Sequence, residues 1–211
     1  MIKEVCVENF TDIPAAIRAG AGRIELNDNL AVGGTTVSRG VMAAAAQYTR
    51  EAGIPLVAMI RPRGGDFVYS EEEVAMMIGD IRTAAECGVP AVTFCAVTPD
   101  GRLDTKLMEL LIAAATPMEV VCHMGFDTIV HSQRQATIDW LIDHHVTRIL
   151  THGGPLTLPI GKTLPNIKAY VDYAAGRIGI LPGGGITNAN VDEITNYLGV
   201  DQAHGTKIIR Y

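Results

Sequence analysis

The chain has 211 residues, 48% of them hydrophobic and 19% charged, and a formal net charge of −6. That size and composition fit one large domain with a mainly aliphatic core. The acidic balance argues against nucleic acid and anionic membranes as partners, and no apolar run reaches the ~18 residues of a membrane-spanning helix.

The N-terminal Met1-Ile2-Lys3-Glu4 leads directly into a strand-like segment, without the basic start and apolar run of a signal peptide. Short β-rich runs then recur: Glu4–Val7, Arg23–Asn27, Pro55–Ile60, Ala91–Cys95, Glu119–His123, Arg148–Thr151, Ile178–Leu181 and Gln202–His204. Between them lie helix-like segments, Asp12–Ala19, Ser38–Ala52, Ser70–Cys87, Asp104–Ala115, His131–His144, Leu164–Ala175 and Asn188–Leu198. Ser38 is an N-cap candidate, and Ser70 followed by Glu73 spells a capping box. Several helices run into glycine, the expected stop. Strand–helix alternation with short links implies parallel strands and crossover helices, and eight strands suit a compact α/β fold of the (β/α)8 TIM-barrel type, a single domain over residues 1–211. An open doubly wound sheet is disfavoured, because the first strand runs into "VENFTD" without a GxGxxG fingerprint. After His204 only "GTKIIRY" remains, so the last helix is expected to be missing or reduced.

In a barrel, strand side chains alternate between the interior and the helix layer. Val5, Val7, Ile24 and Leu26 are expected to face helices. The expected inner face then takes Glu4 and Cys6, Glu25 and Asn27, Met59 and Arg61, Thr93 and Cys95, Val121 and His123, Ile149 and Thr151, and Gln202 and His204. Buried charges need partners, and Glu4 and Glu25 are expected to pair with Arg61. Groups at strand C-termini sit on the face where barrel active sites occur. A structural reading competes: a polar plug that fixes the register.

Glycine-rich turns follow the last two strands. In "PGGGIT" and "HGTK", Gly183, Gly184, Gly185, Gly205 and Thr206 could present backbone N–H groups to an anion. Tight turns alone would also use glycine. Arg61 and Arg63 would add forked donors for phosphate or carboxylate.

The segments "IELNDNLAVGGTTVSRG", "IRPRGGDFVYSEEE", "HMGFD", "ILTHGG" and "GGGITNANV", in this order, resemble the copper homeostasis protein family CutC. The resemblance runs from Glu4 to about Thr206. It implies a TIM-type barrel, a cytoplasmic location, self-association as a dimer or tetramer, and a role in binding or distributing Cu(I). Glu4 and Glu25 match the family's acidic positions, Arg61, Arg63, Gly64, Gly65 and Asp66 its hallmark loop, and His123 and Asp127 its "HRAFD"-like segment. Two positions depart from the family pattern: Met124 replaces an arginine often seen there, and Gln202 replaces a glutamate. Both departures remove charge.

Two functions of different class follow. A copper protein would use soft ligands, and Cys6 and Cys95 are the inward-facing thiols, with Met59 or His123 as helpers. The four cysteines form no CxxC pair and are expected to be reduced. An enzyme acting on a small anionic or phosphorylated metabolite would instead hold the anion through Arg61, Arg63 and the glycine turns. Glu25 or His123 would then act as base and Asp66 or Asp127 as acid or orienter. No nucleotide cofactor is expected.

Overall fold

The computed structural model describes all 211 residues, Met1 to Tyr211. Eight parallel strands alternate with seven helices: β1 (Ile2–Glu8), α1 (Ile13–Arg18), β2 (Arg23–Asn27), α2 (Arg39–Glu51), β3 (Leu56–Met59), α3 (Glu71–Glu86), β4 (Ala91–Phe94) and α4 (Thr105–Ala115), then β5 (Glu119–Cys122), α5 (Arg134–Asp143), β6 (Arg148–Thr151), α6 (Ile160–Ala174), β7 (Gly179–Pro182), α7 (Val191–Leu198) and β8 (Gln202–Gly205). The hydrogen-bonded order β7-β6-β5-β4-β3-β2-β1-β8 brings the last strand beside the first. A single parallel bridge, Thr187 to Lys207, ties the loops beyond β7 and β8. The result is a nearly closed (β/α)8 barrel. No helix follows β8 within these residues, as the short tail led one to expect.

Two apolar layers hold it together. Val5, Val7, Ile24 and Leu26 join a large cluster between sheet and helices. A small second cluster, Val57, Ala91, Val121, Leu150 and Leu181 with Met124 against it, fills the barrel axis. Leu150 in that plug corrects the expected inner face of β6: Ile149 packs outward and Thr151 bonds Asp127 across the strand end. Consecutive apolar residues gave the strand no alternation to read, as is usual where both faces are buried. Cys95 also departs. β4 ends at Phe94, so the alternation no longer governs the next residue, and the Cys95 thiol lies among the outer-layer residues.

Local sequence explains the helix ends. Ser70 Oγ accepts the Glu73 N–H at 3.3 Å and Glu73 Oε2 accepts the Ser70 N–H at 2.9 Å, a complete capping box opening α3. Ser70→Ala is expected to lower stability by about 1 kcal/mol, as cap removals do, read as a shift in urea midpoint at unchanged slope. Helix α6 starts at Ile160, four residues before the expected Leu164, and carries Pro165 inside it. That proline forgoes one helical hydrogen bond without ending the helix. No helix is long and apolar enough to cross a membrane.

Candidate functional site

The C-terminal mouth of the barrel holds a cavity of about 100 Å³. One arc of its wall comes from β8, β1 and β2, with His204, Cys6, Glu25 and Asn27; another comes from the ends of β3 and β5, with Met59, Arg61 and His123.

The first arc is a buried charge network that strand register creates. Parallel pairing sets Glu4 beside Arg23, Cys6 beside Glu25, and His204 beside Glu4. These side chains point inward because their neighbours Val5, Ile24 and Ala203 are apolar and turn out to the helices. Arg23 Nε donates to Glu4 Oε2, and Arg23 Nη2 donates to Gln202 Oε1 at 2.9 Å. Glu4 Oε1 lies 2.7 Å from His204 Nδ1, leaving Nε2 turned toward Glu25 Oε2 at 3.8 Å. Asn27 Nδ2 donates to Glu25 Oε2 at 2.8 Å and to Cys6 Sγ at 3.3 Å. One oxygen or nitrogen of Glu25 and His204 and the sulfur of Cys6 all lie within 4.8 Å of one another.

The expected pairing of Glu4 and Glu25 with Arg61 is therefore replaced by Arg23 and His204. The inward direction of Arg23 follows from its phase with Glu25 and Asn27, two and four residues on, whereas its pairing with Glu4 comes from the strand register.

Burial sets the protonation states. It would raise Glu4, yet the His204 and Arg23 bonds and charges outweigh it and hold the carboxyl down at about 2. Glu25 is raised by burial and by the Glu4 charge, against the pull of His204 and Asn27. Burial alone would depress His204; the Glu25 charge, with Cys6 and Glu4, holds it well above the usual imidazole range. The Cys6 thiol is pushed up to about 11 by burial and then by Glu25. The resting arc is thus a carboxylate–imidazolium pair beside a neutral thiol.

The "RPRGGD" loop builds the other arc. Arg61 Nη2 donates to Gly65 O at 2.7 Å, and Nη1 to Gly34 O at 3.1 Å and Val32 O at 3.2 Å. One guanidinium so clamps two loops over the mouth. Gly64 permits their approach, since a Cβ there would lie 2.6 Å from Val32 Cβ. Arg61 also lies over the Phe67 ring, 4.7 Å from its centroid, and Phe67 in turn meets His123 at 5.0 Å.

Other expected residues lie elsewhere. Arg63 is engaged by Glu73 and by Asp66, the latter at 3.0 Å, and does not line the cavity. Asp66 is exposed and spends its carboxylate on Arg63 and the Val68 N–H. Asp127 accepts from Thr151 Oγ1 at 2.6 Å and from the His152 and Gly153 N–H groups at 2.7 and 3.1 Å, so it splices the end of β5 to the end of β6. Gly183 and Gly184 turn their carbonyls toward His152 Nδ1, at 3.2 and 3.0 Å. A Cβ on Gly183 would strike Leu150 and Met124 at 2.7 Å, and one on Gly205 would strike Ile186 O at 2.5 Å. Close packing against backbone accounts for Gly205, whereas the contacts at Gly183 are with the tips of side chains. Gly185 O accepts from Asn190, and Thr206 is exposed, away from the cavity. Cys95 does not join Cys6 around the cavity; the donors that cluster with Cys6 are Glu25 and His204.

A family model described as the CutC family matches residues 1–209. The chain belongs to the CutC family. A CutC family protein from Enterococcus faecalis is 46% identical over 209 residues, covering 99% of this chain and all of that one. The mouse copper homeostasis protein cutC homolog is 42% identical over 203 residues, covering 96% of this chain and 72% of that one. The crystal structure of a CutC protein from Streptococcus agalactiae superposes with a TM-score of 0.96 at 44% identity, covering 99% of each chain. This CutC chain thus matches over nearly its whole length CutC proteins, among them one named for copper homeostasis.

Proposed function

We propose that the barrel mouth holds a copper ion, taken as Cu(I), and that the protein serves copper handling in a reducing, cytoplasmic setting. The observation that carries this reading is the convergence of Cys6 Sγ, His204 Nε2 and a Glu25 oxygen, with the thioethers of Met59 and Met124 lining the same cavity. Thiolate, imidazole and thioether are the donors a soft cation selects. Glu4 behind His204 is the arrangement in which a carboxylate fixes the tautomer of a metal-binding imidazole and strengthens its other nitrogen. All four cysteines are free thiols.

Binding must displace protons. The Cys6 thiol gives up its proton, and His204 gives up the one on Nε2 while keeping Nδ1–H on Glu4. Glu25, with an oxygen 3.8 Å from Nε2, is a carboxylate placed to receive that proton. Metal affinity should therefore climb as pH rises, by up to about tenfold per unit for each proton released.

An anaerobic titration against a chromophoric Cu(I) chelator between about pH 6 and pH 8 tests this. Affinity is expected to rise across that range, to fall steeply in Cys6→Ser, and to fall about 10–100-fold in Glu4→Gln. A pH-independent affinity shared by wild type and Cys6→Ser would remove the reading. Self-association is part of the same proposal, and sedimentation of the metal-free and loaded protein checks it.

A further inference from the structure

The β3–β5 arc carries polar hydrogens that the copper reading leaves unused. His123 is 3% exposed and Arg61 4% exposed. His123 Nδ1 accepts the Gly125 N–H at 3.1 Å, so the neutral ring carries its proton on Nε2. That buried Nε2–H has no partner; the buried Nε–H of Arg61 has none at full bonding distance, although the equally unpaired Tyr69 hydroxyl lies beside the guanidinium, whose two terminal nitrogens are spent on carbonyls. Leaving a buried donor unpaired costs about 1–3 kcal/mol. Two such donors on residues that line one cavity describe a receptor for an acceptor atom.

We propose that this arc binds a small organic molecule through a carbonyl or carboxylate oxygen, received by His123 Nε2–H and Arg61 Nε–H. Phe67, which packs against both residues, offers an apolar surface to the carbon skeleton, and Met59 and Leu150 extend it. The cavity admits a compact molecule and no nucleotide. A phosphate dianion is the wrong occupant: it takes many donors, whereas the fork of Arg61 is already filled and Glu25 faces the same space. A cation is also wrong here, because His123 offers a protonated nitrogen and Arg61 a positive charge. Burial and then the Arg61 charge press His123 down to about 3, in keeping with a neutral donor ring. The proposal uses neither Cys6 nor His204 and shares with the copper reading only the cavity and the Met59 side chain that lines it.

The test uses the full chain, held metal-free with a chelator, so that it reads separately from the copper site. Acetate, pyruvate and dihydroxyacetone are the probes, with inorganic phosphate as the contrast. The readout is the His123 Nε2–H cross-peak in long-range 1H–15N spectra of the wild type, followed by calorimetric affinity. At least one carboxylate or carbonyl probe is expected to shift that peak saturably, phosphate is not, and His123→Phe should lose at least about tenfold in affinity, equivalent to about 1.4 kcal/mol. Acetate and dihydroxyacetone separate a carboxylate from a neutral carbonyl as the preferred group. The proposal is overturned if no probe moves the peak, which leaves ordered water as the only occupant, if phosphate moves it equally, or if a folded His123→Phe binds as wild type does.

Discussion

Arg23→Met is expected to destabilise the barrel by about 3–5 kcal/mol, the usual result of removing one member of a buried ion pair. Glu4 and Arg23 are 2% and 5% exposed, so solvent cannot take over the lost partner. The substitution would leave the Glu4 carboxylate with His204 alone and strip Gln202 Oε1 of its donor. Urea unfolding followed by far-UV circular dichroism measures the loss. The double variant Arg23→Met/Glu4→Gln should cost clearly less than the sum of the two single changes, because it removes the stranded charge. Strictly additive losses would mean that the two side chains are not energetically coupled.

Stability should also fall as the solution is made acidic, and two residues set the window. His123 is held at about 3 in the folded state against an ordinary 6.5. Below 6.5 the unfolded chain takes up this proton and the folded chain does not, so stability drains away as pH falls from 6.5 toward 3. Glu4, held at about 2 against 4.5, adds stability that is present above 4.5 and is lost as pH falls toward 2. Glu25, raised instead, works in the other sense above 4.5, since there the folded state holds its proton longer. The two acid-sensitive groups therefore act together, unopposed by Glu25, below 4.5. His204, raised, contributes stability that is complete below 6.5 and declines as pH climbs through its folded value. The optimum should lie near neutrality. Thermal melts from about pH 7 to pH 3 are expected to show a loss of several kcal/mol, and a folded His123→Phe should flatten the upper part of that curve. An unchanged curve in the variant would contradict a neutral buried His123.

The barrel was legible because the period of the chain is coarse and redundant. Each unit repeats the same message, an apolar β-rich run followed by a capped helix, so the early start of α6 at Ile160 changes nothing in the topology. The first two strands were also readable in detail. Val5, Val7, Ile24 and Leu26 alternate cleanly with Glu4, Cys6, Glu25 and Asn27, and the inward set follows from the pleat. β6 was opaque because Ile149 and Leu150 are equally apolar, so nothing in composition fixes the phase. Cys95 misled for a different reason: alternation expires where the strand does, one residue earlier. Partner choice was the least legible. Glu4 takes Arg23 rather than Arg61 because parallel register sets those two residues side by side, and register is a relation between segments that neither segment states alone. The arginine–glycine loop read as an anion cradle because guanidinium forks suit anions. The carbonyls of Val32, Gly34 and Gly65 claimed the fork of Arg61 first.

The bond between Glu4 and His204 spans 200 positions of the chain. On a ribosome this becomes an ordering in time. Cys6, Glu25 and Met59 emerge early, but the imidazole that completes their arc is made roughly 10–40 s later at ordinary synthesis rates. Until then the growing sheet displays two carboxylates and a thiol with no counterpart for Glu4 beyond Arg23. A half-made chain thus cannot assemble the full donor set, and any ligand that needs Cys6, Glu25 and His204 together must wait until the last strand has closed the barrel.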